Sequence, residues 1–188
     1  MNYLLKPSIT LFVTAVVSIA VISVAHRSTL EPIQQQLKRS QETALAAVLP
    51  QADSFEDLKL DVETIGLIKI TAVFEGFSGG EKVGYVLSVS SPGYSGSIDL
   101  MVGISYPEET IAGIWIVRHS ETPGLGARAQ NPSFYERYIN RPLVRLGVVR
   151  SSPGENDVVA LTSSTITTRA VTDAVNEAIG WYNRRAGK

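Results

Sequence analysis

Six of the seven residues from Thr162 to Thr168 carry hydroxyl groups, and this segment leads directly into an amphipathic helix. The start of a helix presents backbone N–H groups without intrahelical partners and the positive end of the helix dipole. Together these favour a bound anion such as a phosphate. A side-chain hydroxyl at such a place can also be the atom to which a phosphate is covalently attached. Serine and threonine are equally typical of helix caps, so this segment alone leaves both interpretations open.

A second segment with chemical potential is His119–Gly126, whose sequence is His-Ser-Glu-Thr-Pro-Gly-Leu-Gly. Pro123 fixes one backbone angle, and the two glycines permit conformations that are closed to other residues. Such a loop can bring backbone N–H groups close to a flat ligand, and Glu121 and Thr122 add polar contacts. The alternative is a plain turn that carries an exposed acid.

The composition excludes several classes of function. A net charge of -1 over 188 residues argues against a nucleic-acid-binding protein. The chain has no cysteine, which excludes disulfides, thiolate catalysis and cysteine-bound clusters. His26 and His119 are its two histidines, so we expect no metal site.

The N-terminal segment is apolar and uncharged from Pro7 to Ala25. Its apolar run over residues 9–25 is close to the shortest length that crosses a membrane. Ser23-Val24-Ala25 also fits a signal-peptide cleavage site, but the run exceeds the apolar region of a signal peptide. We therefore predict an uncleaved transmembrane anchor over residues 1–27. Positive residues are slightly more numerous after the span, which weakly favours a cytoplasmic body.

A helical stalk is predicted over residues 28–50. Ser28 or Thr29 can cap it, Pro32 lies in its first turn, and Pro50 ends it. Apolar residues recur along it at helical spacing, namely Leu30, Ile33, Leu37, Ala44, Leu45 and Val48. We expect this stripe to pack on the body of the protein rather than on a partner.

The body, residues 51–188, is predicted to have an α+β fold. Short β-rich runs cut by glycine and proline predict strands at Leu67–Phe74, Lys82–Val89, Gly96–Ile104 and Thr110–Val117. Short turns between consecutive strands indicate an antiparallel sheet. Asn131–Tyr138 is predicted as a short helix and Leu143–Val149 as a further strand. The apolar stripe from Ala170 to Tyr182 predicts a C-terminal helix that packs with the sheet.

Three segments in this order carry a resemblance to a known family: Gly93–Gly103, His119–Gly126 and Thr165–Val171. With the single N-terminal span, the chain resembles the G subunit of the Rnf ferredoxin:NAD oxidoreductase complex. It is more distantly similar to the C subunit of the sodium-translocating NADH:quinone reductase. The resemblance covers nearly the whole chain, and its most specific part is His-x-Glu-Thr-Pro-Gly-Leu-Gly.

The resemblance implies a covalent cofactor. Members of this family carry FMN joined through its phosphate to a threonine hydroxyl, and a flavin transferase that consumes FAD makes the bond. Matched by position, the acceptor in this chain is Thr165. The expected FMN-binding residues around it are Thr162, Ser163, Ser164, Thr167 and Thr168 at the helix start, with Glu121, Thr122, Gly124, Leu125 and Gly126 facing the flavin ring.

The resemblance also implies a place in the cell and a set of partners. The protein would be a single-pass component of the cytoplasmic membrane, in contact with lipid, with its body outside. We follow this orientation over the small excess of positive charge. It would relay electrons between neighbouring membrane, iron–sulfur and flavin subunits of an ion-translocating complex. With no Rossmann glycine fingerprint, it should not itself bind NAD, and we expect no complete active site of its own.

The attachment motif departs from the family pattern, which usually reads Asp-x-x-(Ser/Thr)-Gly-Ala-Thr. Here Val159 replaces the Asp, Ser163 the Gly and Ser164 the Ala. Ser163 places a Cβ where glycine allows free approach, and Ser164 adds a rival hydroxyl. Two alternatives therefore stay open: a flavin-free structural component of the same complex, and an anchored module that binds an anionic ligand noncovalently at residues 162–168.

Overall fold

The computed structural model describes the backbone of residues 2–186 and the side chains of residues 7–24, 26 and 36–186. The chain divides into two compact units, residues 1–41 and 42–188. The first unit is made of one helix, and the second contains the end of that helix and all the remaining elements.

The first helix, α1, runs from Asn2 to Val48 without interruption. A separate helix beginning at Ser28 or Thr29 is therefore wrong, because the backbone stays helical through Pro32. Proline removes one hydrogen bond from a helix, but the turns that follow consist mainly of strong helix formers such as Gln, Leu, Lys and Ala. The side chains of Leu30 and Ile33 lie outside the described residues. Within α1, Pro7–Val24 is long and apolar enough to cross a membrane.

Six strands form the main sheet, which is antiparallel throughout. The central order is β1-β3-β4-β5-β6, and β2 pairs with β3 beside β1. The four predicted strands are confirmed to within a few residues at each end, whereas β1 and β2 are additional. Their bounds are β1 Ser54–Asp57, β2 Glu63–Ile65, β3 Ile68–Ser78, β4 Glu81–Pro92, β5 Ser97–Ser105 and β6 Ile111–Arg118.

A small parallel sheet lies apart from the main one. It joins β7 (Gly147–Val149) to β8 (Asp157–Val159), with Val149 opposite Val159. The strand predicted over Leu143–Val149 is confirmed only in its last three residues. Between the two sheets the chain forms a short helix, α2 (Pro132–Tyr135), with 3-10 turns on either side at Gly126–Gln130 and Glu136–Tyr138.

The two faces of the main sheet are covered by different helices. The C-terminal helix α3, Thr165–Ala186, packs its predicted apolar stripe against one face, where Leu87, Leu100 and Val102 are fully buried. The alternate residues of the same strands, such as Val86 and Met101, face the end of α1. Their partners on α1 are Ala44, Leu45 and Val48.

The last turns of the predicted stalk therefore pack on the body, as expected, although Leu37 is exposed. Helices on both sides of an antiparallel sheet confirm the α+β class. One buried polar pair completes the packing of α3: the Tyr138 hydroxyl lies 2.8 Å from that of Thr172. Burial raises the pKa of the Tyr138 phenol well above its usual range.

Candidate functional site

A cavity of about 430 Å³ opens beside the first turn of α3. Three segments enclose it: the turn between β4 and β5, the loop that follows β6, and the start of α3 itself. Its volume lies within the range of small-molecule sites. The residues that line it are Tyr94, Glu121, Thr122, Leu125, Gly126, Ser163, Ser164, Thr165, Ile166 and Thr167.

Glu121 is the polar centre of this site and is only 5% exposed. Its Oε1 accepts hydrogen bonds from the backbone N–H groups of Tyr94 at 2.8 Å and Ser95 at 2.9 Å. Its Oε2 accepts the hydroxyl of Thr167 on α3. Hydrogen bonds to a carboxylate are among the stronger ones in proteins. Glu121 therefore ties together all three segments around the cavity.

Two glycines make room for this carboxylate. A Cβ atom at Gly126 would collide with Glu121 Oε2 and Thr167 Oγ1, and one at Gly93 would collide with Glu121 Oε1. The Glu121 carboxylate therefore lies between two glycines, and a side chain at either position would displace it. The loop is held further by His119, whose Nδ1 accepts the Glu121 backbone N–H at 3.1 Å. His119 therefore serves the loop, as a hydrogen-bonded structural histidine.

The turn before α3 is held by its own backbone and by one threonine. The Ser164 N–H donates to the Leu161 carbonyl at 3.0 Å. The Thr168 hydroxyl donates to the Ser164 carbonyl and accepts the Leu161 N–H, both at 3.0 Å. Ser163 has a φ of 64°, in the left-handed region that favours glycine. This is the position at which the family pattern has glycine.

The hydroxyls of this segment have different surroundings. Those of Thr167 and Thr168 are buried and bonded within the chain. The hydroxyl of Ser164 is buried and has no hydrogen-bond partner among the described residues. Thr165 is the first residue of α3 and is half-buried against the cavity, and no described residue hydrogen-bonds its hydroxyl. Ser163 is exposed at the cavity edge.

The structure brings together eight of the eleven predicted site residues. Thr162 lines a neighbouring cavity instead, Gly124 forms an exposed turn with a φ of 77°, and Thr168 points into the core. The residues found around the cavity are Glu121, Thr122, Leu125, Gly126, Ser163, Ser164, Thr165 and Thr167.

Two lining residues lie outside the predicted site, although the sequence offers Tyr94 as an aromatic side chain that could stack on the flavin and favours a core position for it. They are Tyr94, which is 70% exposed, and Ile166, which is 53% exposed. Exposed apolar side chains that gather at one cavity, rather than being scattered singly, are typical of a binding surface. The available signal was their position: Tyr94 lies in a Pro-Gly-Tyr-Ser-Gly turn, and Ile166 interrupts the run of hydroxyl residues.

The neighbouring cavity measures about 370 Å³ and shares Ser163 and Thr165 with the first. Its other lining residues are Arg150, Ala160, Leu161 and Thr162. Thr165 therefore contributes to the walls of both cavities.

Comparison with known proteins identifies the family. A family model described as an FMN-binding domain matches residues 93–180, which contain every lining residue of both cavities. The G subunit of the ion-translocating oxidoreductase complex of Methanosarcina acetivorans is 34% identical over 181 residues, covering 93% of this chain and 94% of that protein. This chain belongs to the G-subunit family of ion-translocating oxidoreductases. The Acetobacterium woodii member, from a Na⁺-translocating ferredoxin:NAD⁺ oxidoreductase complex, is 34% identical over 191 residues, or 94% of this chain and 90% of that protein.

The fold of this G-subunit protein also occurs in solved structures. The C subunit of the Na⁺-translocating NADH-quinone reductase from Parabacteroides distasonis superposes with a TM-score of 0.57. The alignment is 17% identical and covers 81% of this chain and 94% of that one. The resemblance inferred from the sequence is thereby confirmed for both the G-subunit family and its more distant relative in fold.

Proposed function

We propose that this G-subunit protein binds FMN in the cavity at the start of α3 and carries it covalently on Thr165. The observation that supports this most directly is the state of the Thr165 hydroxyl. It lies on the first residue of a long helix, lines the cavity, and has no hydrogen bond to the described part of the chain. The N–H groups of the same turn are suited to an attached phosphate.

The other hydroxyls of the segment are poorer acceptors. Thr167 and Thr168 are buried and engaged in hydrogen bonds. Ser164 is only 6% exposed, which prevents an enzyme from reaching its oxygen. Thr162 is exposed but does not line the first cavity. Ser163 is the remaining rival, because it is exposed at the edge of both cavities.

The residues present fit the shape and charge of FMN. Tyr94, Leu125 and Ile166 offer an apolar surface for a flat ring, and the helix start offers N–H donors for a phosphate. When bound, FMN supplies the redox chemistry of the site. Glu121 contributes to the site without touching the cofactor, because its hydrogen bonds hold the Tyr94 turn and α3 at a fixed spacing.

Attachment by a flavin transferase that consumes FAD would balance as follows. The Thr165 Oγ1 forms a bond to the phosphorus of the FMN half of FAD while the bond from that phosphorus to the AMP half breaks. AMP leaves, and the hydroxyl proton is released. No electron is gained or lost, so no further oxidant or reductant is required.

In the cell, we place this protein in an ion-translocating ferredoxin:NAD oxidoreductase complex, where it relays electrons between neighbouring subunits. The relatives' names support membership of such a complex. The exposed apolar segment Pro7–Val24 supports a single-pass anchor in the cytoplasmic membrane, in contact with lipid. The proposed division is an anchor over 1–27, a stalk over 28–50 and an FMN-binding body over 51–188 that faces outward.

Intact mass of the full chain, coexpressed with a flavin transferase, tests this function. We expect a gain equal to FMN less one water, with in-gel flavin fluorescence. Thr165→Val should abolish both, and the matched variant Thr64→Val, at an exposed threonine that lines neither cavity, should retain both. A mass gain that survives Thr165→Val would mean that a neighbouring hydroxyl is the acceptor, and Ser163→Ala would then identify it.

No mass gain in the unaltered chain would leave two alternatives, a flavin-free structural component and a noncovalent anion-binding module. Release of an anionic ligand on denaturation would separate them.

A further inference from the structure

The pairing of the parallel strands β7 and β8 places the positively charged Arg150 beside the turn that precedes α3. Val149 lies opposite Val159, and the Ala160 N–H donates to the Val149 carbonyl at 2.8 Å. Because the two strands are parallel, the chain leaves both of them at the same edge. Arg150 follows β7 at that edge, and the turn that leads to Thr165 follows β8.

Arg150 lines the second cavity together with Ser163 and Thr165. Among the described residues that line either cavity, Glu121 and Arg150 are the charged ones. The Glu121 carboxylate already accepts three hydrogen bonds from the chain. Arg150 is exposed and has no carboxylate partner within the described part of the chain. Its charge is therefore available to an anion at Thr165.

A second observation at the same turn also points to a ligand. The Ser164 hydroxyl is more than nine-tenths buried, has no partner among the described residues, and belongs to a residue that lines the first cavity. Buried polar groups in folded proteins are nearly always hydrogen-bonded, so an exception needs an explanation. A phosphate oxygen at the helix start would supply an acceptor to this turn.

We propose that Arg150 is a positioning residue for the flavin phosphate, holding it beside Thr165 at the wall that the two cavities share, while the apolar first cavity receives the ring. This inference rests on the proposed function and deepens it. A phosphodiester keeps one negative charge and two oxygens outside its ester bonds, and the planar guanidinium of arginine can pair with both. Thr165, in the wall of both cavities, is then the point at which the two parts of the ligand meet.

Noncovalent binding to the full chain carrying Thr165→Val tests the contact directly. FMN and riboflavin differ by the phosphate, so their affinities are compared with Arg150 intact and in Arg150→Gln. We expect Arg150→Gln to weaken the affinity for FMN by about threefold to tenfold, the range for a solvent-exposed charge-assisted contact. The affinity for riboflavin should stay unchanged. Arg150→Lys should retain part of the preference for FMN. Arg145→Gln, at another exposed arginine, which precedes β7 and lines neither cavity, should retain all of it.

An unchanged ratio of FMN to riboflavin affinity in Arg150→Gln would overturn the proposal, as would an equal loss for both flavins. The rate of covalent incorporation, measured with Thr165 intact, provides a second readout. It should fall by a similar factor in Arg150→Gln and not in Arg145→Gln. If the Thr165→Val chain binds neither FMN nor riboflavin, the rates of covalent incorporation test the role of Arg150.

The two proposals fail in different ways. If the unaltered chain gains FMN on Thr165 and Arg150→Gln gains it at the same rate, the role of Arg150 alone is refuted. If the unaltered chain neither binds nor incorporates flavin, the proposed function fails, and the role of Arg150 fails with it.

Discussion

The loop after β6 and the turn before α3 face each other across the cavity, yet they differ in how their polar groups are satisfied. In the loop, the Glu121 carboxylate accepts three hydrogen bonds and its backbone N–H has a partner in His119. In the turn, the hydroxyls of Ser164 and Thr165 have no partner in the described chain. Ser163 also adopts a backbone conformation that its side chain disfavours.

We infer from this difference that the loop has a structural role and that the turn is the segment that contacts the ligand. Folding alone completes the hydrogen bonds of the loop, so its geometry does not depend on a ligand. The turn keeps unused hydrogen-bonding capacity and backbone strain, which are features that cluster at functional sites. Changes in the loop should therefore cost stability, whereas changes in the turn should affect ligand attachment and cost little or nothing in stability.

Glu121→Ala should have the largest effect. It removes the acceptor of three hydrogen bonds and leaves two backbone N–H groups and the Thr167 hydroxyl without a partner. We expect the free energy of unfolding to fall by about 3 kcal/mol. Urea unfolding of the full chain in detergent, followed by tryptophan fluorescence, measures this. The matched variant Glu155→Ala removes an exposed carboxylate and should change it by less than about 0.5 kcal/mol. If both variants lost the same free energy of unfolding, Glu121 would stabilise the protein no more than an exposed carboxylate does, and the loop would have no special structural role.

Ser163→Gly should act in the opposite direction. Glycine adopts a φ of 64° without a steric penalty, although it also gives the unfolded chain more freedom. The net expectation is a gain of about 0.5–1 kcal/mol in the free energy of unfolding, together with faster flavin incorporation. Ser151→Gly, at a neighbouring exposed serine without a left-handed φ, should give no gain. A loss of stability in Ser163→Gly would show that the turn is not strained.

Ser164→Ala should have the smallest effect. Removing a buried hydroxyl without a partner should raise the free energy of unfolding of the flavin-free chain by about 0.5 kcal/mol. The gain should disappear in the FMN-loaded chain if the ligand gives this hydroxyl a partner. Thr168→Val provides the contrast, because its hydroxyl has two partners, and it should cost about 1.5 kcal/mol in either form. A comparable loss in Ser164→Ala without flavin would mean that its hydroxyl is already satisfied.

Most of the fold could be predicted from the sequence because its main elements are long and regular. Strands β3 to β6 alternate or run apolar between clear turn residues, and α3 has an unbroken apolar stripe. Strands β1, β2, β7 and β8 are three or four residues long, too short to show a clear period. Strand β2 pairs with β3 across a two-residue turn, whereas β1, β7 and β8 pair across longer stretches of chain. Local patterns contain no information on such pairing. The false helix start at Ser28 or Thr29 came from a local cap signal that the surrounding helix overrides.

The site was predictable in its segments but not in its contacts. The residues of the loop and the turn could be named because their motifs and their order carry a family resemblance. Their directions could not, since Thr167 and Glu121 are 46 positions apart and only the folded chain brings them together. For the same reason, Glu121 was expected to face the ligand, whereas its carboxylate is engaged in holding the segments. Arg150 carried no signal at all, because its place depends on the pairing of β7 with β8.

The exposure of Tyr94, Leu125 and Ile166 has a consequence for cofactor occupancy. These side chains are 70%, 43% and 53% exposed, so the rim of the cavity encloses a ligand only in part. A ligand joined to Thr165 by a short linker has an effective concentration at the cavity on the order of millimolar. Even weak contacts then keep the cavity filled most of the time. If FMN is attached to Thr165 as proposed, the same open rim leaves the flavin ring accessible to another protein.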